Sequence, residues 1–299
     1  MPKILVIGSS NTDMVVKTSR FPQPGETIIG GEFFLFPGGK GANQAVAAAR
    51  MGGEVALIAK VGQDVFGQQA IEGFAHEGIN VAYVLSDPKL ASGVALITVD
   101  ASGENEIVVA PGANAALLPT DLDRDDLAFE NADLVLMQLE TPLETVLHAA
   151  QKAQTLYKKF VLNPAPAQHL PAELYPLLYL ITPNETEASL LTGIPLDDDD
   201  ALPLVAEVLL QKGVKNVIIT LGAKGAYFQN ARQKFRVPSP QVQAVDTTAA
   251  GDVFNGALAV ALAEGLDWRE AIDLACRAGA IAVTRMGAQA SAPFREEVL

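Results

Sequence analysis

The chain has 299 residues, 49% of them hydrophobic and 19% charged, with a formal charge of −14. Such a chain suits one compact domain with a large core, and an acidic balance without a visible Lys/Arg cluster makes nucleic acid a poor partner. No apolar run approaches the roughly 18 residues that a membrane span requires. The opening MPKILVIG carries one Lys and too short an apolar stretch for a signal peptide. The single cysteine, Cys276, excludes an internal disulfide and makes a reducing, cytoplasmic setting the default expectation. If so acidic a chain handles phosphate, it must do so through backbone amides, helix ends and bound metal more than through lysines.

In chain order, KILVIG (Lys3–Gly8) reads as a buried strand, and TDMVVKTSR and ETIIGGEFFLF are strand-like with no helix between them. The glycine-rich PGGKGANQ (Pro37–Gln44) runs into a helix with apolar Ala45, Val46 and Ala49. VALIAKVG (Val55–Gly62) is a strand, Phe66–His76 a helix, and GVALITVDASGENEIVVAP (Gly93–Pro111) a hairpin turning at Ala101–Glu104. Four more buried strands follow: DLVLMQLE (Asp133–Glu140), KFVLNP (Lys159–Pro164), LYLITP (Leu178–Pro183) and NVIITLG (Asn216–Gly222). Helices are expected at Leu143–Tyr157, Glu185–Leu191, Ala201–Gln211 and Val253–Leu262, with Gly265 as the last stop. The run Asp197–Asp200 reads as a solvated turn before a helix. Near-continuous apolar strands alternating with helices argue an α/β fold with a parallel sheet covered on both faces. The strand-rich stretches, about 12–36 and 92–111, break that rhythm and predict a small second sheet inserted into the single domain 1–299.

Ligands of open α/β sheets bind beyond the carboxyl ends of the strands. Those ends carry Asn11 and Asp13, Glu140, Asn184 and Glu187, then Gly222 and Gly225. Acids, amides and glycines therefore gather on one edge. Familiar signatures are missing there: no G-x-x-x-x-G-K-[ST], no G-x-G-x-x-G after the first strand, and no G-x-S-x-G elbow. His76, His148 and His169 are isolated and read as surface or locally bonded side chains.

Three segments admit two readings each. DTTAAGDVFNG (Asp246–Gly256) puts small residues and Asp252 at the mouth of an apolar helix. Asp252 is either an acid that favours the helix dipole or a carboxylate beside a phosphoryl group, placed to accept a proton. PGGKGANQ is either a glycine-rich turn with a helix cap or a loop that lets backbone approach a ligand, with Lys40 and Asn43 as donors. In PNETE, Asn184 with Glu187 forms a capping-box pattern that stability alone could explain.

GSSNTD, FPQPGET, FPGGKGANQAVAAAR, MQLETPLE, LNPAP, ITPNETEA, TLGAKG, AVDTTAAGDVFNGAL and AIAVTRMGAQ follow one another along nearly the whole chain. Together they resemble the ribokinase family of sugar and nucleoside kinases. The resemblance implies a three-layer α/β/α sandwich with a mostly parallel sheet and a small β-sheet lid. It implies ATP-dependent phosphorylation of ribose at its 5-hydroxyl, with magnesium and a monovalent cation such as potassium, and a homodimer formed through the lid. Asn11, Asp13, Gly39, Lys40, Gly41, Asn43 and Glu140 would hold the sugar. Asp252 would be the base, and Ala249, Ala250 and Gly251 the anion hole. Asn184, Thr220, Gly222, Lys224, Gly225 and Gly251 would meet the nucleotide, with Glu187 ordering magnesium through water. Asp246, Thr248, Ala282, Arg285, Gly287 and Ser291 would surround the monovalent cation. Cys276 departs from the family, which usually shows Asn or His at that adenine-edge position. A cysteine there implies a packing contact to the base, since Cys is a poor hydrogen-bond partner. Other sugars (deoxyribose, fructose), a nucleoside, or a sugar-binding regulator without catalysis are the alternatives; the missing dinucleotide fingerprint disfavours a nicotinamide-dependent oxidoreductase.

Overall fold

The computed structural model describes residues 1–124 and 126–299. The first third of the chain forms β1 (Lys3–Ile7), β2 (Asn11–Lys17), β3 (Glu32–Gly38), α1 (Lys40–Arg50), β4 (Glu54–Gly62), α2 (Val65–His76), β5 (Val84–Asp87), β6 (Gly93–Val99) and β7 (Asn105–Ala110). The middle forms α3 (Pro119–Leu122), α4 (Asp126–Asn131), β8 (Leu134–Met137), α5 (Leu143–Thr155), β9 (Lys159–Leu162), β10 (Leu180–Ile181), α6 (Glu185–Thr192) and α7 (Leu202–Gln211). The last part forms β11 (Asn216–Thr220), β12 (Ala226–Asn230), β13 (Lys234–Val237), α8 (Ala250–Glu264), α9 (Trp268–Ala282) and α10 (Arg295–Val298).

Among the described residues the main sheet has nine strands in the order β13-β12-β11-β10-β9-β8-β1-β4-β5. It is parallel from β11 to β5; the β11–β12 and β12–β13 pairings are antiparallel, so β12 runs against the other strands. Alternate residues of β1 feed two cores. Ile4 and Val6 pack among residues of α1, α8 and α9, while Leu5 and Ile7 pack among those of α5 and α7. Burial on both faces explains why these strands read as unbroken apolar runs. The strand order reverses at β1, with β4 on one side and β8 on the other, and such a switch point opens a crevice at the carboxyl ends.

The inserted segments form a separate sheet in the order β3-β2-β6-β7. Its register puts Asp13 beside Phe36 and Ala95 in one cross-strand row, and Met14 beside Leu35 and Leu96 in the next. Successive rows point to opposite faces. The face with Leu35, Leu96 and Val108 is exposed. β3 joins α1 through Gly39 alone, whose φ of 88° suits glycine.

The sequence did not reveal α9, β5, β12 or β13. β12 (AYFQN) and β13 (KFRV) are short, and polar residues interrupt them. The acid run holds more than a solvated turn: Asp199 binds both Lys224 and Arg236 and ties α7 to the β12–β13 edge.

Candidate active site

β1, β2, α1 and α8 converge at the crevice. Asp252, in the first turn of α8, is 5% exposed. Its two carboxylate oxygens accept 2.9 Å hydrogen bonds from Asn43 Nδ2 and Gln44 Nε2, consecutive residues of α1. Burial raises its pKa, against the opposing pull of Lys40, Asn43 and Gln44. Asn43 Oδ1 is buried and unpartnered among the described residues. Buried polar atoms normally have a partner, so this one points to a ligand donor.

Asp13 reaches the same place from the lid. Burial, with Glu140 and Asp252 nearby, pushes its pKa up to about 6, while Lys40 opposes. Its carboxylate lies where a side chain on Gly38 would sit, 2.3 Å from an added Cβ. Asn11 Oδ1 accepts from Asn114 Nδ2 at 2.8 Å, and Asn114 Oδ1 accepts from the Ser10 amide at 2.9 Å. Glu140 accepts from Ser9 Oγ and from the Lys40 amide. Burial lowers the affinity of the Lys40 amine for its proton, but Asp252, Glu140, Glu187 and Asp13 outweigh it and raise the pKa. The cluster is a set of acids around one ammonium.

The glycines of the PGGKGANQ loop make room mainly for the chain itself. A Cβ on Gly39 would lie 2.7 Å from the Asn11 amide nitrogen, and one on Gly41 2.5 Å from that of Ser9. Gly251 differs: a Cβ there meets nothing within 4 Å. α8 starts after Ala249, a non-glycine residue at φ 59°, and among the described residues no side chain caps this end. The first amides of the helix are thus presented to whatever fills the adjoining cleft, a ready anion site.

That cleft has a volume of about 520 Å³. Asn184, Thr220, Gly222, Gly225, Ala250, Gly251 and Cys276 line it, as the sequence expectations require. Sequence reasoning missed much of its wall, including Val242, Ala244, Gly279 and Ala280. These are small or apolar residues that no motif marks. The structure does not bring Lys224 to this wall; its amine binds Asp199 at 3.1 Å. Burial pushes the Cys276 thiol up to about 12.

Asn184 and Glu187 form the capping box, with reciprocal bonds of 2.8 and 2.9 Å. The capping reading of PNETE is present in the structure, and Asn184 also lines the cleft. Burial raises the Glu187 pKa, and the group senses Lys40 and Asp252. Asp246 bridges two loops by accepting from the Thr248 and Gly287 amides, both at 2.9 Å. Burial opposes its ionisation, but these hydrogen bonds prevail and hold its pKa below the usual value. Ser291 Oγ, wholly buried, donates to Ala288 O. Ala282 O accepts from the Arg285 amide at 3.0 Å, and the Arg285 side chain pairs with Glu297. His148, as expected of a locally bonded histidine, contacts Asp123.

The arrangement joins a polar, acidic pocket to a long cleft, with an open helix end and one buried carboxylate between them. The profile of the pfkB family of carbohydrate kinases matches residues 1–295. A ribokinase of Haemophilus influenzae is 45% identical over 296 residues, 99% of this chain and 97% of the relative. A deoxyribokinase of Salmonella typhi is 40% identical over 295 residues, 98% and 96% of the two chains. The solved structure of an Arabidopsis thaliana ribokinase complexed with ribose and ATP superimposes with a TM-score of 0.94 at 32% identity, covering 99% of this chain and 97% of that one. The fold and these likenesses agree, and the chain belongs to the pfkB family of carbohydrate kinases.

Proposed function

We propose that the protein transfers the γ-phosphoryl group of ATP to the 5-hydroxyl of D-ribose, giving ribose 5-phosphate and ADP. One observation carries the chemistry: a buried, doubly hydrogen-bonded Asp252 stands in the same helical turn as the open Gly251 amide end. Ribose sits among Asn11, Asp13, Lys40, Asn43 and Glu140, where the unpartnered Asn43 Oδ1 and the Asp13 carboxylate accept hydrogen bonds from its hydroxyls. Gly39 and Gly41 let the β1 end and α1 come close enough to form this pocket. ATP occupies the cleft, its adenine against Cys276 and its phosphates towards Ala249–Gly251. Asp252 accepts the proton of the 5-hydroxyl as the new O–P bond forms and the bond to the ADP oxygen breaks. Such transfer depends on positioning and charge stabilisation more than on covalent chemistry.

Two metal ions fit the donors present. Magnesium keeps most of its waters and needs few direct protein ligands, which agrees with a lone Glu187 and with no cluster of three His, Cys, Asp or Glu among the described residues. When bound, it neutralises phosphate charge. Asp246, Thr248, Ser291 and the carbonyls of Ala282, Arg285 and Gly287 offer an all-oxygen set suited to potassium, which would steady the loop before α8.

Measuring ADP formation from ATP with and without ribose tests the reaction; turnover that does not depend on sugar would overturn it. The 40% identical deoxyribokinase is the reason for a second reading, 2-deoxyribose. Side-by-side kcat/KM values for the two sugars separate them. The exposed face of Leu35, Leu96 and Val108 is too apolar for isolated solvent exposure and fits a second copy of the lid. Light scattering on wild type and on Leu96→Glu should show a dimer reduced to a monomer.

A further inference from the structure

Beneath Asp252 lies a chain of uncharged polar side chains, none of which lines the cleft. Gln44 is fully buried, Gln138, Thr182 and Asn255 are each 1% exposed, and Asn163 is 6% exposed. Gln44 Nε2 has two hydrogens and uses both, one on Asp252 Oδ1 at 2.9 Å and one on Asn163 Oδ1 at 3.0 Å. Gln44 Oε1 accepts from Gln138 Nε2 at 2.6 Å. Asn163 Nδ2 donates to Thr182 O at 3.1 Å, Thr182 Oγ1 donates to Asn255 Oδ1 at 2.6 Å, and Asn255 Nδ2 donates to Gly251 O at 2.8 Å. The path leaves the Asp252 carboxylate and returns to the peptide that carries its amide.

The polarity of this path has one consistent sense. A backbone carbonyl, Thr182 O, can only accept, so it fixes which end of Asn163 is NH₂ and turns Asn163 Oδ1 towards Gln44. Gln44 must then present its NH₂ to Asn163 Oδ1, and the same NH₂ reaches Asp252 Oδ1. The reversed amide would set its oxygen against two other acceptors. At the far end Gly251 O, another obligate acceptor, orients Asn255. Two backbone carbonyls thus dictate the donors along the whole line.

We propose that Gln44 is a positioning residue for the base, and that the belt Gln44–Asn163–Thr182–Asn255 locks the Asp252 carboxylate and the Gly251 peptide in one fixed relation. The belt rests on the reading of Asp252 as base and deepens it: the proton acceptor and the phosphoryl-receiving amides are held as a single rigid unit. None of its side chains lines the cleft, so the belt acts on the reaction through the two groups it holds, Asp252 and Gly251. A base that swings by an ångström relative to the anion site loses the geometry that transfer demands.

The test measures kcat, both KM values and thermal melting for Gln44→Met, Asp252→Asn and the double variant, using ribose and ATP. Removing one hydrogen bond to a buried charge should cut kcat about 10- to 100-fold, with the KM values for sugar and ATP moving less than about threefold. In the Asp252→Asn background the same change should add less than about threefold, because the group it positions is gone. A normal kcat in Gln44→Met, a raised sugar KM, or a full additional loss in the double variant would overturn the proposal and leave Gln44 as core packing. If Gln44→Met does not fold, Thr182→Val and Thr182→Ser decide. The valine should lower kcat about three- to tenfold by the loss of one hydrogen bond, and the serine should restore it; equal rates in both sink the belt. Near-normal turnover in Asp252→Asn instead sinks the base assignment, and the belt with it.

Discussion

The two halves of the site are made of different materials. The proposed sugar pocket is built from charged and amide side chains, each tied to others: Asp252 to Asn43 and Gln44, Glu140 to Ser9 and the Lys40 amide, Asn11 to Asn114. The proposed nucleotide cleft is walled mainly by glycines and small or apolar residues such as Gly222, Gly225, Val242, Ala244, Gly279 and Ala280, with Asn184, Glu185, Thr186, Thr220, Ser239, Gln241 and Thr247 as its polar side chains. On the proposed assignment, one half would recognise mainly by charged and amide side chains and the other mainly by shape and backbone. Substitutions should therefore be severe on the sugar side and mild on the cleft side.

The largest effect is expected at the junction. Asp252→Asn should lower kcat by about 10²–10⁴, the range for removal of a general base, with a cooperative melting transition to show that the fold survives. A mild loss would mean that the anion site alone carries the reaction and that the contrast between the halves is overstated.

Next comes Asp13→Asn, expected to raise the KM for ribose about 10- to 100-fold, as for loss of a charged hydrogen bond, while the KM for ATP stays within about threefold. Equal rises for both substrates would break the division.

A smaller effect should appear with pH. Asp13 has its pKa raised from 3.8 to about 6, so in the proposed role it would meet ligand hydroxyls mainly as an anion above that value. The kcat/KM for ribose should fall as the pH drops through about 6, and an identical profile in Asp13→Asn would assign that limb to another group. The stability effect has the opposite sense. A raised folded-state pKa means a contribution that is fully present below about 3.8 and lost as the pH rises through about 6. Asp13→Asn should thus melt higher than wild type at pH 7.5 and lose that advantage towards pH 4. The pocket gains recognition at some cost in stability, as functional sites commonly do.

The smallest effect is expected in the cleft. Cys276→Ala should change the KM for ATP by less than about threefold, the scale for one lost packing contact in a hydrophobic pocket. A tenfold rise would show that the thiol does more than fill space.

Much of this was legible before folding. Apolar runs marked the strands of the parallel sheet because both their faces are buried, and the stretches without that rhythm marked the second sheet. Asp252, Asn43, Glu140 and Asn184 were legible because charged or capping residues stood at strand or helix ends. The amide belt was not. Gln44, Gln138, Asn163 and Asn255 are uncharged and scattered over 211 positions of chain, and only the packing of α1, β9 and α8 brings them together. In sequence they are indistinguishable from ordinary polar residues. Likewise α9 passed unread although Asp267 caps it and a capping box marks its start, because its apolar positions are mostly alanine.

Gly39 separates the last residue of β3 from the first residue of α1, leaving no slack between them. The strand whose outer residues would meet a second copy is thus one joint away from the helix that grips the base. In a dimer built on this sheet, assembly and sugar binding would share a mechanical element, and by thermodynamic reciprocity any effect of one on the other would run both ways. A dimer built on this lid would be a lever as well as a scaffold: sugar should tighten the pair, and dissociation should loosen the hold on sugar.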